Sequence, residues 1–332
     1  MRLNLAYLLL GISALGCSLR GGSLSEVKTN GGSCSIEAGT VPQFSDFQMV
    51  EGSTVYGNGF TVLEGPIWYN NSLYFSSINA NKDLQFPSNL HRVNNGAVTL
   101  EIENYGGNGM AIAGNGKVVY GNHKLGGLSS GSFSDGFDLL IGTYEGKRFN
   151  SPNDVAVHSN GKLYFTDPEY QSFSSNKQDK ENAFVLSQDG NKISRIDANL
   201  LPSKPNGIYL SGDESYLYIG GESGLVRFSL DKNGDVIKKD DSFKSDIRKI
   251  DGMSRDCAGN IYITSNYGSS SIHVLSIDGN PLTVIPVPLQ DGEAGITNVA
   301  FGGSDGKTIY VTTMGSQPSI YAAQNNIPGQ PY

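Results

Sequence analysis

Residues Asn153 to Asp167 read NDVAVHSNGKLYFTD: a side-chain amide, a short apolar strand, a turn carrying Asn and Gly, and a second strand with a central tyrosine. Five further segments share the pattern, EGPIWYNNSLYFSS from Glu64, NGMAIAGNGKVVYGN from Asn108, NGIYLSGDESYLYIGG from Asn206, DGMSRDCAGNIYITS from Asp251 and NVAFGGSDGKTIYVTT from Asn298. Successive starts lie 44, 45, 53, 45 and 47 residues apart, the size of one propeller blade. More strand signals follow each pair, such as Gly224 to Leu230 before the turn Asp231-Lys232-Asn233-Gly234. Asn, Asp and Gly tolerate the positive φ of tight hairpin connections. Each repeat therefore holds about four antiparallel strands. The expected fold is an all-β, six-bladed β-propeller of four-stranded antiparallel blades around a central channel. A parallel β-helix is set aside, since its repeats are shorter and need no hairpins. The stretch from Phe47 to Leu63 alternates like a strand and is expected to pair with the C-terminal strands around Ile320, closing the ring and covering its edges.

Composition points the same way. Among 332 residues there are 43 Gly and 17 Tyr, with only 17% charged, which favours strands and turns over amphipathic helices. A net charge of -8, with no cluster of Lys and Arg, argues against nucleic acid as a partner. Met1 and Arg2 precede an apolar run from Leu3 to Leu15 that is too short to span a bilayer. It ends in Ala14-Leu15-Gly16-Cys17, which resembles a bacterial lipobox, with Ala14 where Leu is usual.

The expected organisation is a signal peptide over 1–16, a Gly/Ser-rich tether over 17–45 after a lipidated Cys17, the propeller over 46–325 and a tail over 326–332. The protein is expected to be exported, as a cell-envelope lipoprotein touching the membrane only through its lipid, or otherwise periplasmic or secreted. It is expected to be a monomer or weak oligomer. Cys34 and Cys257 remain, either as a pair or as two free thiols.

In a propeller the first strand of each blade lines the channel, so Glu64, Asn108, Asn153, Asn206, Asp251 and Asn298 are expected to converge near one mouth. Singly, such residues begin strands because they satisfy local backbone groups. Together they crowd six oxygen-bearing side chains and two carboxylates around an axis, an arrangement that calls for a positive charge between them. A hard divalent cation fits, Ca²⁺ first, with Mg²⁺, Mn²⁺ or Zn²⁺ as alternatives. The four histidines are scattered and no zinc-type spacing occurs.

The motifs EGPIW (Glu64–Trp68), SPND (Ser151–Asp154), KPNG (Lys204–Gly207) and DGM (Asp251–Met253), in this order and in register with the repeat, resemble the senescence-marker-protein, gluconolactonase and luciferin-regenerating-enzyme family of six-bladed propellers. The resemblance runs from about Phe60 to Thr313. It implies Glu64, Asn206 and Asp251 as metal ligands, Asn153 beside the metal as ligand or substrate contact, and Asp251 as catalytic acid or base. Asn108, Asp167 and Tyr170 are further candidates for contact with a small-molecule substrate. The implied activity is metal-assisted hydrolysis of a lactone. The alternatives are a phosphotriesterase-like hydrolase, since the same cation polarises P=O, and a non-catalytic ligand-binding propeller. No G-x-S-x-G elbow is present to support a nucleophilic serine.

Overall fold

The computed structural model describes residues 36–55, 59–94, 96–266 and 270–330. Among the described residues helix is confined to two 3₁₀ turns, Lys82–Leu84 and Ala198–Leu200. Among the described residues the strands form four four-stranded antiparallel sheets, a two-stranded hairpin, and an eight-stranded sheet in which the first and last four-stranded units are joined where Thr61 and Val62 pair with Gly315 and Met314. The first strands of the four-stranded units are Thr61–Tyr69, Gly107–Ile112, Val155–Val157, Pro205–Leu210, Ile250–Arg255 and Glu293–Gly302. Each of these touches the first strand of the unit before and after it, the last returning to the first, so the six units close into a ring around an axis. The expected propeller is the fold.

Apolar side chains between neighbouring blades hold the ring. Six buried clusters occur, each built from two adjacent blades. Between the second and third blades, Phe149, Phe165 and Phe184 pack with ring centroids 5.0–5.3 Å apart. The repeated tyrosines sit in these seams as expected. Tyr164, Tyr218 and Tyr262 are fully buried, and two of their hydroxyls are satisfied by Ile277 O at 3.0 Å and Asp256 Oδ2 at 2.8 Å. Trp68 is half-buried and stacks on Tyr310 at 5.8 Å.

Closure follows the expected route. The sixth blade takes its outermost strand from the N-terminal side, where Gln48–Met49 pairs with Tyr321 and Ala322. Val50 N–H donates to Ile320 O at 2.8 Å. Ordered packing begins before Asp46, because Gln43 N–H donates to Asn326 Oδ1 and Thr40 O accepts from Asn260 Nδ2, both at 2.8 Å. The expected tail is also packed, with Pro328 O accepting from Cys257 N–H and Gly306 O from Gly329 N–H. Both stretches satisfy backbone groups that the outer face of the fifth and sixth blades would otherwise leave open. Cys257 is disulfide-bonded rather than a free thiol. The expected leader, Cys17 and Cys34 lie outside the described residues.

Candidate active site at the channel axis

Every inner strand but the third carries a register shift at one level, between Glu64 and Ile67, Gly107 and Met110, Pro205 and Ile208, Ile250 and Met253, and Ile296 and Val299. In each, two residues face one on the second strand, a bulge that re-aims side chains. Asn108, Asn206 and Asp251 occupy the first bulge position. Asn153 matches them, since its N–H donates to Thr166 O while Val155 opposes Phe165. Gly109, Gly207 and Gly252 fill the second position. A Cβ there would collide with Asp154 Oδ1, Asp251 O and Asn298 Oδ1 respectively, so each glycine makes room for the next blade.

The ladder corrects the expected equivalence at two points. Glu64 stands one residue before the first bulge position, which Gly65 holds at φ +53°. Asn298 stands one residue after it, where Thr297 matches Asp251. Both nevertheless reach the axis. Asn298 Nδ2 donates to Glu64 Oε2 at 3.1 Å, as does Gly65 N–H. Asn206 Nδ2 donates to Asp251 Oδ1 at 2.7 Å, and the carboxyls of Glu64 and Asp251 meet each other. Glu64, Asn153 and Asn206 are 3–5% exposed, whereas Asp251 is the partly exposed member of the group.

Burial dominates the electrostatics. Loss of hydration pushes Glu64 up to about 7, against hydrogen bonds from Asn298 and Gly65. It raises Asp251 well above the usual carboxylate range, helped by the charge of Glu64. Two carboxyls in one dry site share a proton unless a cation replaces it. The amide oxygens of Asn108, Asn153 and Asn206 are all buried without a hydrogen-bond partner, a costly state for polar atoms. Among the described residues no group of three or more His, Cys, Asp and Glu is placed to hold a metal ion. The donor set here is two carboxylates completed by amide oxygens, which suits a hard divalent cation.

The loop over residues 168–181 covers this cluster from the third blade. Tyr170 is half-buried, and its hydroxyl hydrogen-bonds the Asn206 side chain near Asp251, with burial holding the phenol pKa above its ordinary value. Gln171 Oε1 accepts from Asn108 Nδ2 at 3.4 Å. Asp167 is 0% exposed. Its Oδ2 accepts Asn150 N–H at 2.9 Å, so it reaches the site through the Asn150–Asn153 backbone and not by facing the channel. Burial pushes it up to about 8. Beneath the cluster lies a cavity of about 360 Å³ lined by the inner strands of all six blades. Asp154 and Asn298 stand at one end, and His158, Glu214, Arg255 and Gln330 at the other.

Sequence reasoning missed the hydroxyls that seat the donors. Ser76 Oγ donates to Asn108 O at 2.6 Å, Thr166 Oγ1 to Asn206 O at 2.6 Å and Thr264 Oγ1 to Thr297 O at 2.5 Å. Each ties one blade to the donor backbone of the next. Their signal lies in the repeats as the fourth letter of LYFSS, LYFTD and IYITS. Gln171 and Asp154 were also missed; Asp154 takes the position that Asn298 holds in the sixth blade, each side chain accepting the N–H of the next residue.

Residues 62–315 match the model of the SMP-30/Gluconolactonase/LRE-like region. A gluconolactonase of Zymomonas mobilis is 33% identical over 195 residues, 52% of this chain and 51% of that protein, so the match spans about half its length. Among solved structures, a Xanthomonas campestris gluconolactonase superposes with a TM-score of 0.67 at 20% identity, covering 89% of this chain and 97% of its own. A calcium-binding protein, regucalcin, from Agrobacterium tumefaciens gives 0.63 at 19%, covering 85% and 96%. At these identities the structural matches speak to the fold alone.

Proposed function

Because the chain belongs to the SMP-30/gluconolactonase/LRE-like family, we propose that it hydrolyses a small-molecule lactone at the cluster of Glu64, Asn153, Asn206 and Asp251, with one divalent cation, calcium first, as cofactor. The observation that carries this reading is the set of unpaired, buried amide oxygens of Asn108, Asn153 and Asn206 beside the buried, contacting carboxyls of Glu64 and Asp251. The likeness to the Zymomonas gluconolactonase supports the substrate class, and the oxygen-only donor chemistry supports the metal.

Glu64, Asn206 and Asp251 would hold the cation, with Asn153 completing the set. When bound, the cation supplies Lewis-acid polarisation of the lactone carbonyl and stabilises the negative charge that develops as water adds. The chain's own groups do the rest. Gly65 N–H and Asn298 fix Glu64. Asn206 engages Asp251 Oδ1, leaving Oδ2 to take the proton of the attacking water. As the partly exposed member, Asp251 is the one that water can reach. Asn108, Asn153 and Tyr170 would hydrogen-bond the ring hydroxyls of a bound lactone.

Proton release from glucono-1,5-lactone tests the assignment. The variant Asp251→Asn is expected to lose about 10³-fold in kcat, within the range for a missing general base, while its melting temperature stays close to that of the parent. Retention of most turnover in the variant would defeat it.

A further inference from the structure

We infer that Lys204 makes the site selective for lactones that carry a second, anionic group, a carboxylate or phosphate remote from the ring carbonyl; this rests on the lactonase reading. Lys204 is exposed and lies two residues before Asn206. Its Nζ sits 5.0 Å from the centre of the Tyr170 ring, and the hydroxyl of that ring bonds Asn206. The ammonium is thereby held along the rim of the cluster. Among the described residues it makes no ion pair within 4 Å, whereas Lys177, in the covering loop, is spent on Glu169.

Its backbone carries strain in the same place. Lys204 has φ +47°, a left-handed conformation that is strained for a residue with a Cβ. The conformation is held by donation of its N–H to Glu181 Oε2 at 3.1 Å. Lys249, two residues before Asp251 in the next blade, is also exposed with φ +47°. Gly106, two residues before Asn108, takes the same left-handed backbone, so the turn recurs ahead of three of the cluster residues and carries a lysine at two of them.

The opposing charges facing Tyr170 are Asp251, Glu222 and Glu181. Asp251 would be held by the cation, Glu181 accepts from the backbone amides of Glu169 and Lys204, and among the described residues Glu222 makes no ion pair within 4 Å. A cation–π contact fixes position while leaving an ammonium its hydrogen-bond donors. A substrate anion at this rim would meet a point charge that no carboxylate has claimed.

The test compares D-glucaro-1,4-lactone with D-glucono-1,4-lactone, which differ by a carboxylate in place of a terminal hydroxymethyl. The calcium-loaded parent is expected to favour the acidic lactone in kcat/KM by about twofold to fivefold, the scale of one exposed ionic contact. The ratio should fall toward one in Lys204→Met, which keeps the apolar stem on Tyr170, with the change carried by KM. It should persist in Lys204→Arg and in the outer-strand control Lys238→Met. Calorimetric binding of glucarate and 6-phosphogluconate relative to gluconate should show the same loss in Lys204→Met and tell carboxylate from phosphate. A parent ratio near one, or a preference unchanged in Lys204→Met, would overturn the inference. If no lactone is turned over, the lactonase reading falls, and the binding comparison still decides the role of Lys204.

Discussion

Asp167 is a buried carboxyl whose Oδ2 accepts Asn150 N–H at 2.9 Å, at the base of the segment that carries Asn153. Its carboxyl lies under the loop that presents Asn153, and burial raises it from an ordinary 3.8 to about 8. A raised carboxyl binds its proton more tightly in the folded chain than in the unfolded one. Its contribution to stability is therefore complete below pH 4 and is lost as pH rises through about 8. Asp167→Asn keeps the shape and removes the titration, so its stability should fall less than the parent's between pH 4 and 8.5, as read from urea unfolding. Parallel pH slopes for the two proteins would contradict this placement. From sequence, Asp167 was legible only as a polar residue near a motif, because its burial is created by residues 144–151 folding over it. The donors themselves were legible, since chemistry-bearing residues recurred at blade spacing. The exact ring was not. Alternation by letter aligned Glu64 and Asn298 with the others, while a bulge inserts a residue that no one-letter pattern reveals.

At the scale of the strand, the bulges explain why a glycine follows three of the donors. Gly207 packs against Asp251 O, a backbone atom with no freedom to move aside. Gly207→Ala is expected to destabilise the protein by about 1–3 kcal/mol, as overpacking does, lowering the melting temperature by several degrees in calorimetry. An unchanged melting temperature would mean that the blades are not seated on one another through these glycines. The hydroxyls of Ser76, Thr166 and Thr264 perform the complementary task from the second strands, each binding a carbonyl of the next blade's bulge. Strands and hairpin turns were predictable from alternation and turn chemistry. These inter-blade bonds were not, because they join segments 32 to 40 residues apart, and local pattern carries no record of them. The covering loop over residues 168–181 is longer than a typical connection, and loops of that length are commonly functional.

For the whole molecule, convergence depends on closure. The donors of blades one, three, four and five meet only if the sixth blade joins the first, and that junction uses Gln48–Met49 on one side and Thr61–Val62 on the other. A chain lacking residues 1–50 would leave Tyr321 and Ala322 as an open edge and strip Phe47 from its cluster. It should melt at a lower temperature and associate with rising concentration in light scattering. Monomeric behaviour at the parent's melting temperature would show that the clasp is dispensable. The ring was legible from the six repeats, and its closure from the strand-like stretch ahead of the first. The packing of residues 40–45 and 326–330 was not, because Gly- and Pro-rich ends read as linkers until a surface satisfies their backbone.

All of this converges on one claim, that oxygen donors from separate blades are held together at the axis to share a divalent cation. Calorimetric titration of calcium into chelator-stripped protein tests it directly. One site per chain is expected, weakened at least tenfold in Glu64→Gln and in Asn206→Ala, which remove a charge and an amide oxygen from the set. Absence of a stoichiometric site in the parent, or equal affinity in all three proteins, would contradict it.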